Sequence, residues 1–352
     1  MHDAVSCWGQ SVIQVSVVIP TFNREKLLSQ TLDALAQQAG GIDYEVIFVN
    51  NGSSDNSFAL LQERARTQPN RFRAYYIAPT GGPSAPRNHG IRYAKGEIVV
   101  ILDDDVIPEP DLVFLHWDFH QRHPDPEYVA LGEVYIPEDL QDDPMSLFHT
   151  FPYHEVSRKE FPEYFYFWTC NVSFKRQFML QFGMFPEDML YYEDIVCGYK
   201  LANNGMRLCF LPEARGKHLH QLQRTSVPDK GFFIGEWLFK LTQTVPEVAV
   251  KERFGILSTE VRVSVLARKI VKRIAFRLTD NPLTTLCLKA FGVEKRSRDS
   301  MTDFYYYLIF RRNMIAGYKC AKRRSNKTRK RSSAKRAGSP AADHLDAERG
   351  IG

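Results

Sequence analysis

Cysteine is scarce in this sequence, and no two cysteines lie close together. The 352-residue chain has six, spread from Cys7 to Cys320 without a CxxC pair. A small scaffold stapled by disulfides needs a denser framework than this. We therefore expect ordinary thiols, buried or neutral, in a reducing compartment.

Long apolar runs are also absent. No stretch reaches the ~18 uncharged apolar residues that a membrane span requires. The first ten residues lack the basic and apolar regions of a signal peptide. The sequence thus predicts a cytoplasmic protein, with peripheral attachment to the inner face of the cell membrane as the alternative.

Acidic residues are missing from the segment Lys322–Arg336, which carries nine lysines or arginines. Because the whole chain has a net charge of +5, the remainder has −4, and the basicity belongs to the tail. Such a run could bind an anionic membrane or nucleic acid through charge alone. It has no interleaved aromatic residues and no recognition fold, so we do not expect a nucleic-acid partner. Residues 319–352 are poor in apolar side chains, which predicts a disordered tail.

Apolar residues make up 44% of the chain and aromatic residues 12%, enough for one large core with a smaller appendage. Short β-branched runs alternate with helix-length segments as far as about Leu211, the pattern of a sheet wrapped by crossover helices. Ligands in such sheets bind beyond the carboxyl ends of the strands. The predicted strands are Val15–Ile19, Glu45–Val49, Ala74–Ile77, Glu97–Leu102, Val129–Val134 and Arg207–Leu211.

The region after Gln221 predicts helices and no further strand. Gly231–Thr244 and Ser258–Leu278 have helical patterns. The chain is therefore expected to divide into an α/β domain over 13–225, a helical region over 226–318 and the tail over 319–352. Ser258–Leu278 mixes apolar residues with six basic ones and suits a membrane surface. A basic helix packed on the body with its charges in water fits the same pattern.

Three carboxylates, Asp103, Asp104 and Asp105, directly follow the apolar strand segment 98–102. Carboxylates in this position repel one another unless a cation joins them. Oxygen ligands at this density suit Mg²⁺ or Mn²⁺ that also binds substrate phosphates. The alternative is a solvated loop, with Asp111 capping the next helix. The triplet alone does not decide between the two.

A second acidic pair, Glu193 and Asp194, opens a predicted helix that ends at Asn203–Gly205. Negative charge at a helix N-terminus stabilises the helix dipole, which is one explanation. The other makes one carboxylate a general base that takes a proton from an attacking hydroxyl. Further on, His218 and His220 lie two residues apart, so in an extended segment both point the same way and either could reach a metal or a phosphate.

The order of these motifs resembles glycosyltransferase family 2, whose members are inverting enzymes with the GT-A fold. The resemblance covers about 15–221 and implies an α/β, Rossmann-like mixed sheet with the C-terminal helical extension and the disordered basic tail. It implies sugar transfer from a nucleoside diphosphate donor to a hydroxyl acceptor, such as a lipid-linked glycan, in cell-envelope or surface polysaccharide synthesis. Seven segments in the family's order carry it: Val17–Arg24, Asn50–Asp55, Pro86–Gly90, Asp103–Asp105, Asn171–Lys175, Gly183–Glu187 and Glu193–Asp194.

The resemblance also implies a donor site. Pro20, Thr21 and Asn50 would hold the nucleoside, with Arg87 near the base or the diphosphate and Asp103 at the ribose. The family usually has Asp where this chain has Asn50. An amide keeps an acceptor oxygen but lacks the charge, so the preference for one base over another is open.

The remaining implied roles concern the metal, the acceptor and the base. Mn²⁺ or Mg²⁺ would lie at Asp105 and His218, with His220 as the fallback. Asn171 would line the acceptor side, Asp194 would be the base, and Glu193 would help to hold the acceptor. A rival enzyme class, the nucleotidyltransferases, would also bind Mg²⁺ and phosphates, but the acidic pair at 193–194 has no obvious role there.

Overall fold

A mixed β-sheet forms the centre of the protein. The structure is a computed structural model that describes residues 12–219, 222–254, 282–290 and 292–337. In this part of the chain eight strands form one sheet in the order β3-β2-β1-β4-β7-β6-β8-β5. The strands are β1 Val15–Thr21, β2 Tyr44–Asn50, β3 Phe72–Tyr76, β4 Ile98–Leu102, β5 Val106–Pro108, β6 Tyr128–Tyr135, β7 Asn171–Lys175 and β8 Arg207–His218.

The strand directions bring the motifs to one edge of this sheet. Strands β1 to β4 run parallel, and β7 is antiparallel to both of its neighbours, β4 and β6. Because two reversals restore the direction, β6 runs the same way as β4, and β8 is parallel to β6. The carboxyl ends of β1, β2, β4 and β6 therefore meet at the same edge. All six predicted strands are confirmed, with shifted ends, whereas β5 and β7 were not predicted.

Helices cover both faces of the sheet. Successive strand residues point to opposite faces, so Val17 and Ile19 enter one apolar core while Val18 enters the other. The first core receives Leu28 and Leu112 from the helices on its side. The helices up to the end of the sheet are α1 Glu25–Ala36, α2 Ser57–Thr67, α3 Ser84–Tyr93, α4 Leu112–Arg122, α5 Glu138–Gln141, α6 Tyr153–Val156, α7 Arg176–Phe182 and α8 Glu193–Ala202.

The sheet is followed by helices α9 Val227–Thr244, α10 Glu247–Arg253, α11 Pro282–Ala290 and α12 Ser300–Ala337. Helices α9 and α12 pack with their backbones in contact. A Cβ atom on Gly235 would lie 1.9 Å from the carbonyl oxygen of Met314, and one on Gly317 would lie 2.0 Å from that of Phe232. Within the described ranges no helix is both long and apolar enough to span a bilayer.

The structure corrects the prediction of a disordered tail in part. Residues 319–337 continue helix α12, and 338–352 lie outside the described residues. Low apolar content argues against a packed core, but Lys and Arg are good helix formers, and the first half of α12 is anchored on α9. The side chains of 322–328 are exposed. The predicted basic helix Ser258–Leu278 also lies outside the described residues.

Candidate active site

The acidic triplet lies where β4 ends and β5 begins, opposite the end of β8. In the antiparallel ladder Val106 pairs with His218, and the amide of Leu219 donates to the carbonyl of Asp105 at 2.9 Å. This register brings His218 Nε2 to 3.3 Å from Asp105 Oδ1. Both side chains are buried. The sheet thus joins two predicted metal ligands that are more than a hundred positions apart in sequence.

Arg24, just before helix α1, bridges two carboxylates of the triplet. Its Nε lies 2.8 Å from Asp104 Oδ1, and its Nη2 lies 2.9 Å from Asp105 Oδ2. Burial acts to lower the pKa of Arg24, but these carboxylates outweigh it and raise the pKa above the ordinary value. Burial raises the pKa of Asp104 to about 7, although Arg24 opposes the shift. Sequence analysis assigned no role to Arg24.

Arg87 connects the first acidic group with the second. From helix α3 its Nη1 lies 2.6 Å from Glu193 Oε1, and its Nη2 lies 3.1 Å from Asp103 Oδ1. The arginine is 4% exposed, so both ion pairs are desolvated on its side. Removing one partner of such a pair leaves an uncompensated buried charge. Arg87 and Glu193 were predicted site residues, and their direct contact explains why both acidic motifs lie in one site.

Asp194 follows Glu193 in the first turn of α8. The preceding residue, Tyr192, has a left-handed backbone with φ 64°, which turns the chain sharply into the helix. The amide of Ile195 donates to Asp194 Oδ1 at 2.7 Å. Burial raises the pKa of Asp194 to about 7, and repulsion from Glu193 adds to the shift. The carboxylate is thus poised to exchange a proton near neutral pH.

A cavity of about 400 Å³ opens beside the triplet. None of the described residues offers Thr21 Oγ1 a hydrogen bond, although this atom is buried. Gly52 has φ +73°, and a Cβ there would lie 2.3 Å from Pro79 Cγ, so only glycine lets the two loops above β2 and β3 close on each other. The wall consists of Pro20, Thr21, Phe22, Arg24, Asn51, Pro79, Gly81, Gly82, Pro83, Pro86, Arg87, Asp103, Asp104 and Asp105.

Asn50, predicted to hold the nucleoside, lies behind the wall of the first cavity. This side chain is fully buried, its Nδ2 donates to Ser53 Oγ at 2.8 Å, and its Oδ1 accepts from the Ser53 amide at 3.0 Å. Asn50 therefore shapes the loop after β2. The neighbouring Asn51 is the one that lines the cavity, with Nδ2 donating to the carbonyl of Gly82 at 3.1 Å.

The structure places Asn171, the predicted acceptor-side residue, inside the fold and not in the wall of the first cavity. Asn171 lies in β7 with 0% exposure, and its Nδ2 donates to the carbonyl of Ala214 at 2.8 Å. Its Oδ1 lies 2.9 Å from Nε2 of His116, which is also buried. Burial lowers the pKa of His116 to about 4, so this imidazole is neutral at pH 7. Asn171 thus belongs to a polar network inside the fold.

A second cavity, of about 630 Å³, lies beyond the carboxyl end of β6. The ring of His149, in its wall, lies 4.8 Å from the ring of His218, so the two cavities approach each other at the Asp105–His218 pair. The wall consists of Glu133, Val134, Tyr135, Ile136, Glu138, Gln141, His149, Thr150, Phe151, Tyr153, Arg215 and Arg298. Sequence analysis did not identify this cavity.

Lys230 of helix α9 also belongs to the surroundings of the triplet. Burial lowers the pKa of its ammonium group, Asp105 opposes this shift and Arg24 adds to it. The C-terminal helices therefore contribute a positive charge to the site of the α/β domain.

The described residues fit a divalent cation only in part. Among them no group of three or more His, Cys, Asp or Glu side chains could hold a metal ion. Mg²⁺-type ions, however, commonly bind one or two protein ligands and take the rest from substrate phosphates and water. Asp105 and His218, with facing ligand atoms next to the cavity, fit that arrangement. The His220 alternative lies outside the described residues.

This mixed sheet, with carboxylates at the end of β4 beside a cavity of about 400 Å³, has the architecture of the GT-A fold. A solved mannosyltransferase from Pyrobaculum calidifontis, in complex with GDP-Man and Mn²⁺, aligns with a TM-score of 0.56 and 18% identity. The alignment covers 87% of this chain and 86% of that one. It confirms the predicted fold.

Residues 16–182 match the family model described as Glycosyl transferase family 2, which confirms the resemblance found in the sequence. Validoxylamine A glucosyltransferase of Streptomyces hygroscopicus subsp. jinggangensis is 30% identical in an alignment of 235 residues that covers 57% of this chain and 54% of that protein. Poly(ribitol-phosphate) beta-glucosyltransferase of Bacillus spizizenii is 38% identical over 94 residues, 26% of this chain and 15% of that protein. The chain spans about half the length of the first relative and less of the second.

Proposed function

We propose that the protein is an inverting glycosyltransferase that moves a sugar from a nucleoside diphosphate donor to a hydroxyl acceptor. The observation that carries this proposal is the ion-pair chain through Arg87, which ties the carboxylates beside the first cavity to the acidic pair of α8. Sugar transfer needs both groups, because a diphosphate must leave and a hydroxyl proton must be accepted. A nucleotidyltransferase would use the first group and leave the second without a role.

The nucleoside diphosphate is proposed to bind in the first cavity. Its volume of about 400 Å³ lies within the usual range for small-molecule sites. Buried polar atoms are nearly always hydrogen-bonded, so the hydroxyl of Thr21 is expected to find its partner on the ligand. Asn51 and Pro20 would flank the nucleoside, and Asp103, which is partly exposed beside Arg87, would meet the ribose.

Asp105 and His218 would hold Mn²⁺ or Mg²⁺ next to the diphosphate. When bound, the ion supplies positive charge that neutralises the leaving group. Arg24 and Lys230 add fixed positive charge near Asp105. These residues would attract and orient the diphosphate beside Asp105.

Asp194 is the proposed base. Its raised pKa makes it a better proton acceptor than an ordinary aspartate while leaving a large ionised fraction at neutral pH. Glu193, held by Arg87, would keep the first turn of α8 in place. A base on the face opposite the leaving diphosphate implies one in-line displacement, and therefore inversion at the anomeric carbon.

The acceptor is proposed to enter through the second cavity, since Asn171 is not available for this role. Two acids and two arginines line that cavity, so their formal charges cancel and favour a neutral, hydroxyl-rich ligand. Tyr135 and Phe151 offer apolar ring surface for a sugar. A glycan there would reach the donor past His149 and His218.

We place this activity in cell-envelope or surface polysaccharide synthesis, because the Bacillus spizizenii relative is a poly(ribitol-phosphate) glucosyltransferase. The acceptor would then be a neutral, hydroxyl-bearing glycan of the envelope, such as a lipid-linked one, presented at the membrane surface. The exposed basic part of α12 would hold the protein at an anionic surface.

The test is calorimetry of UDP-sugars and GDP-sugars with and without Mn²⁺, comparing the parent with Asp105→Ala. At least one donor should bind the parent with Mn²⁺, and the variant should lose the part of the affinity that depends on the metal. Asp33→Ala, which removes an exposed partner of Arg64 outside the cavity, is the control and should behave like the parent. If Mn²⁺ still stimulated donor binding in Asp105→Ala, the metal would have to bind somewhere other than this triplet.

A further inference from the structure

Arg24 occupies a position between the carboxylates where a cation is required. The guanidinium group reaches Asp104 through Nε at 2.8 Å and Asp105 through Nη2 at 2.9 Å. Its backbone is fixed as well, because its amide donates to Ser57 Oγ at 2.8 Å. Thr31, in the middle of α1, donates its hydroxyl to the carbonyl of Asp104 at 3.1 Å. Main-chain and side-chain hydrogen bonds therefore both hold the start of α1 beside the triplet.

The charges of the triplet divide between two arginines. Asp103 pairs with Arg87, while Asp104 and Asp105 share Arg24. Asp104 and Asp105 are 7% and 5% exposed, so water does little to separate their charges. One guanidinium therefore neutralises two neighbouring carboxylates, as a divalent cation does in a metal site.

Arg24 and a metal ion would compete for the same carboxylate. Oδ2 of Asp105 contacts Arg24, and Oδ1 faces His218 at 3.3 Å. A divalent ion beside Asp105 would meet the guanidinium charge at close range, and like charges at such distances repel strongly in a partly buried site. The Arg24 side chain is 25% exposed and lines the first cavity, so it has space to move toward a ligand there.

We propose that Arg24 is an internal counter-ion of Asp104 and Asp105 that gives up Asp105 when a divalent cation and a nucleoside diphosphate bind, and then pairs with the diphosphate. This inference rests on the proposed function. A guanidinium group matches two phosphate oxygens as well as it matches carboxylates, so the exchange replaces one charge-assisted contact by another. It also couples metal binding to nucleotide binding, since the arginine leaves the metal site only when the diphosphate offers a partner.

The experiment measures Mn²⁺ binding by electron paramagnetic resonance without nucleotide, and then UDP and GDP binding by calorimetry at saturating Mn²⁺. Without nucleotide, Arg24→Gln should bind Mn²⁺ several-fold more tightly, because its competitor is gone. At saturating Mn²⁺ the same variant should bind the preferred nucleotide about tenfold more weakly, the scale of one lost charge-assisted hydrogen bond. A purely structural role would not move the two affinities in opposite directions.

Arg73→Gln is the matched control. Arg73 is 26% exposed and pairs with the buried Glu45 at 2.9 Å in the same domain, away from the cavity. It should leave both affinities at parental values. Arg24→Lys keeps the positive charge but lacks the planar guanidinium group that contacts two carboxylates at once. Its Mn²⁺ affinity should therefore lie between those of the parent and Arg24→Gln. This second variant decides the matter if Arg24→Gln does not fold.

Parental Mn²⁺ affinity in Arg24→Gln, or parental nucleotide affinity at saturating Mn²⁺, would overturn the inference while leaving the proposed function intact. If Arg24→Gln does not fold, Mn²⁺ affinity in Arg24→Lys equal to that of the parent would do the same. A parent protein that binds neither Mn²⁺ nor either nucleotide would overturn the proposed function, and this inference with it.

Discussion

At the scale of single residues, the environment of Asp194 determines how the reaction should depend on pH. Its pKa is raised from 3.8 to about 7, mainly by burial, so the carboxylate form gains population as the pH rises through 7. If this form is the base, kcat/KM for hydrolysis of the donor should rise between about pH 6 and 8 and then level off. An aspartate with an ordinary pKa would give no such rise. Initial rates over this range measure it.

Asp194→Asn is the control for that profile. It should retain donor binding, lose turnover by several orders of magnitude, and show no rise near pH 7, because only the proton-accepting group is removed. Turnover within about tenfold of the parent would mean that another group is the base.

The two asparagines after β2 should behave differently. Asn51→Ala removes a cavity-wall side chain that also holds the loop at Gly82, and it should weaken UDP and GDP binding by ~1 kcal/mol or more. Asn50→Asp keeps the acceptor oxygen for the Ser53 amide and should leave the order of UDP and GDP affinities unchanged. Calorimetric competition measures both. A change of base preference in Asn50→Asp would mean that this side chain reaches the nucleoside.

Sequence reasoning found carboxylates more easily than their partners. The triplet and the pair at 193–194 form visible clusters, each next to a strand end or helix start. Arg24 pairs with Asp104 from 80 positions away in the sequence, and Lys230, which feels the charge of Asp105, belongs to a later helix, so no local pattern connects them. The family resemblance implied that Asn171 is a site residue, but the pairing of β7 with β4 places this side chain inside the fold.

At the scale of elements, the close contact of α9 and α12 supplies a stability prediction. The Cβ of Gly235→Ala would lie 1.9 Å from the Met314 carbonyl oxygen, so the two helices must separate. We expect a loss of ~1–3 kcal/mol in the free energy of unfolding, measured by urea denaturation. Gln243→Ala, at an exposed position of α9, is the control and should stay within ~0.5 kcal/mol of the parent. The same small change in Gly235→Ala would contradict this packing.

The elements that sequence analysis missed share a cause. Strand β5 has three residues, too few for a periodic pattern. Strand β7 mixes Asn, Ser and Lys with two apolar residues, and it is strand-like only because β4 and β6 pair with it on both sides. Helix α12 reads as a disordered tail after Tyr318, since its second half has no apolar face. In each case the secondary structure depends on packing against other parts of the chain. A short stretch of sequence does not contain this information.

At the scale of the whole molecule, the charge separation predicts where the protein works. The segment Lys322–Arg336 has nine positive charges, each worth ~1 kcal/mol near an anionic surface, whereas the rest of the chain is negative. The protein should sediment with anionic liposomes at low ionic strength and be released by salt. A version ending at Tyr318 should bind less tightly and keep its donor hydrolysis. Neutral liposomes are the control. If the full chain did not bind anionic liposomes at any salt concentration, the result would favour an acceptor in solution.

The central claim is that a sugar leaves a nucleoside diphosphate by one in-line displacement at this site. It can be tested without knowing the acceptor, because water can replace it. Proton NMR of the sugar released from an α-linked nucleotide sugar, recorded with diamagnetic Mg²⁺ before the anomers equilibrate, reports the stereochemistry directly. The account predicts that the β anomer appears first and that Asp194→Asn releases almost none. Early release of the α anomer, or no consumption of any UDP- or GDP-sugar by the parent, would contradict it.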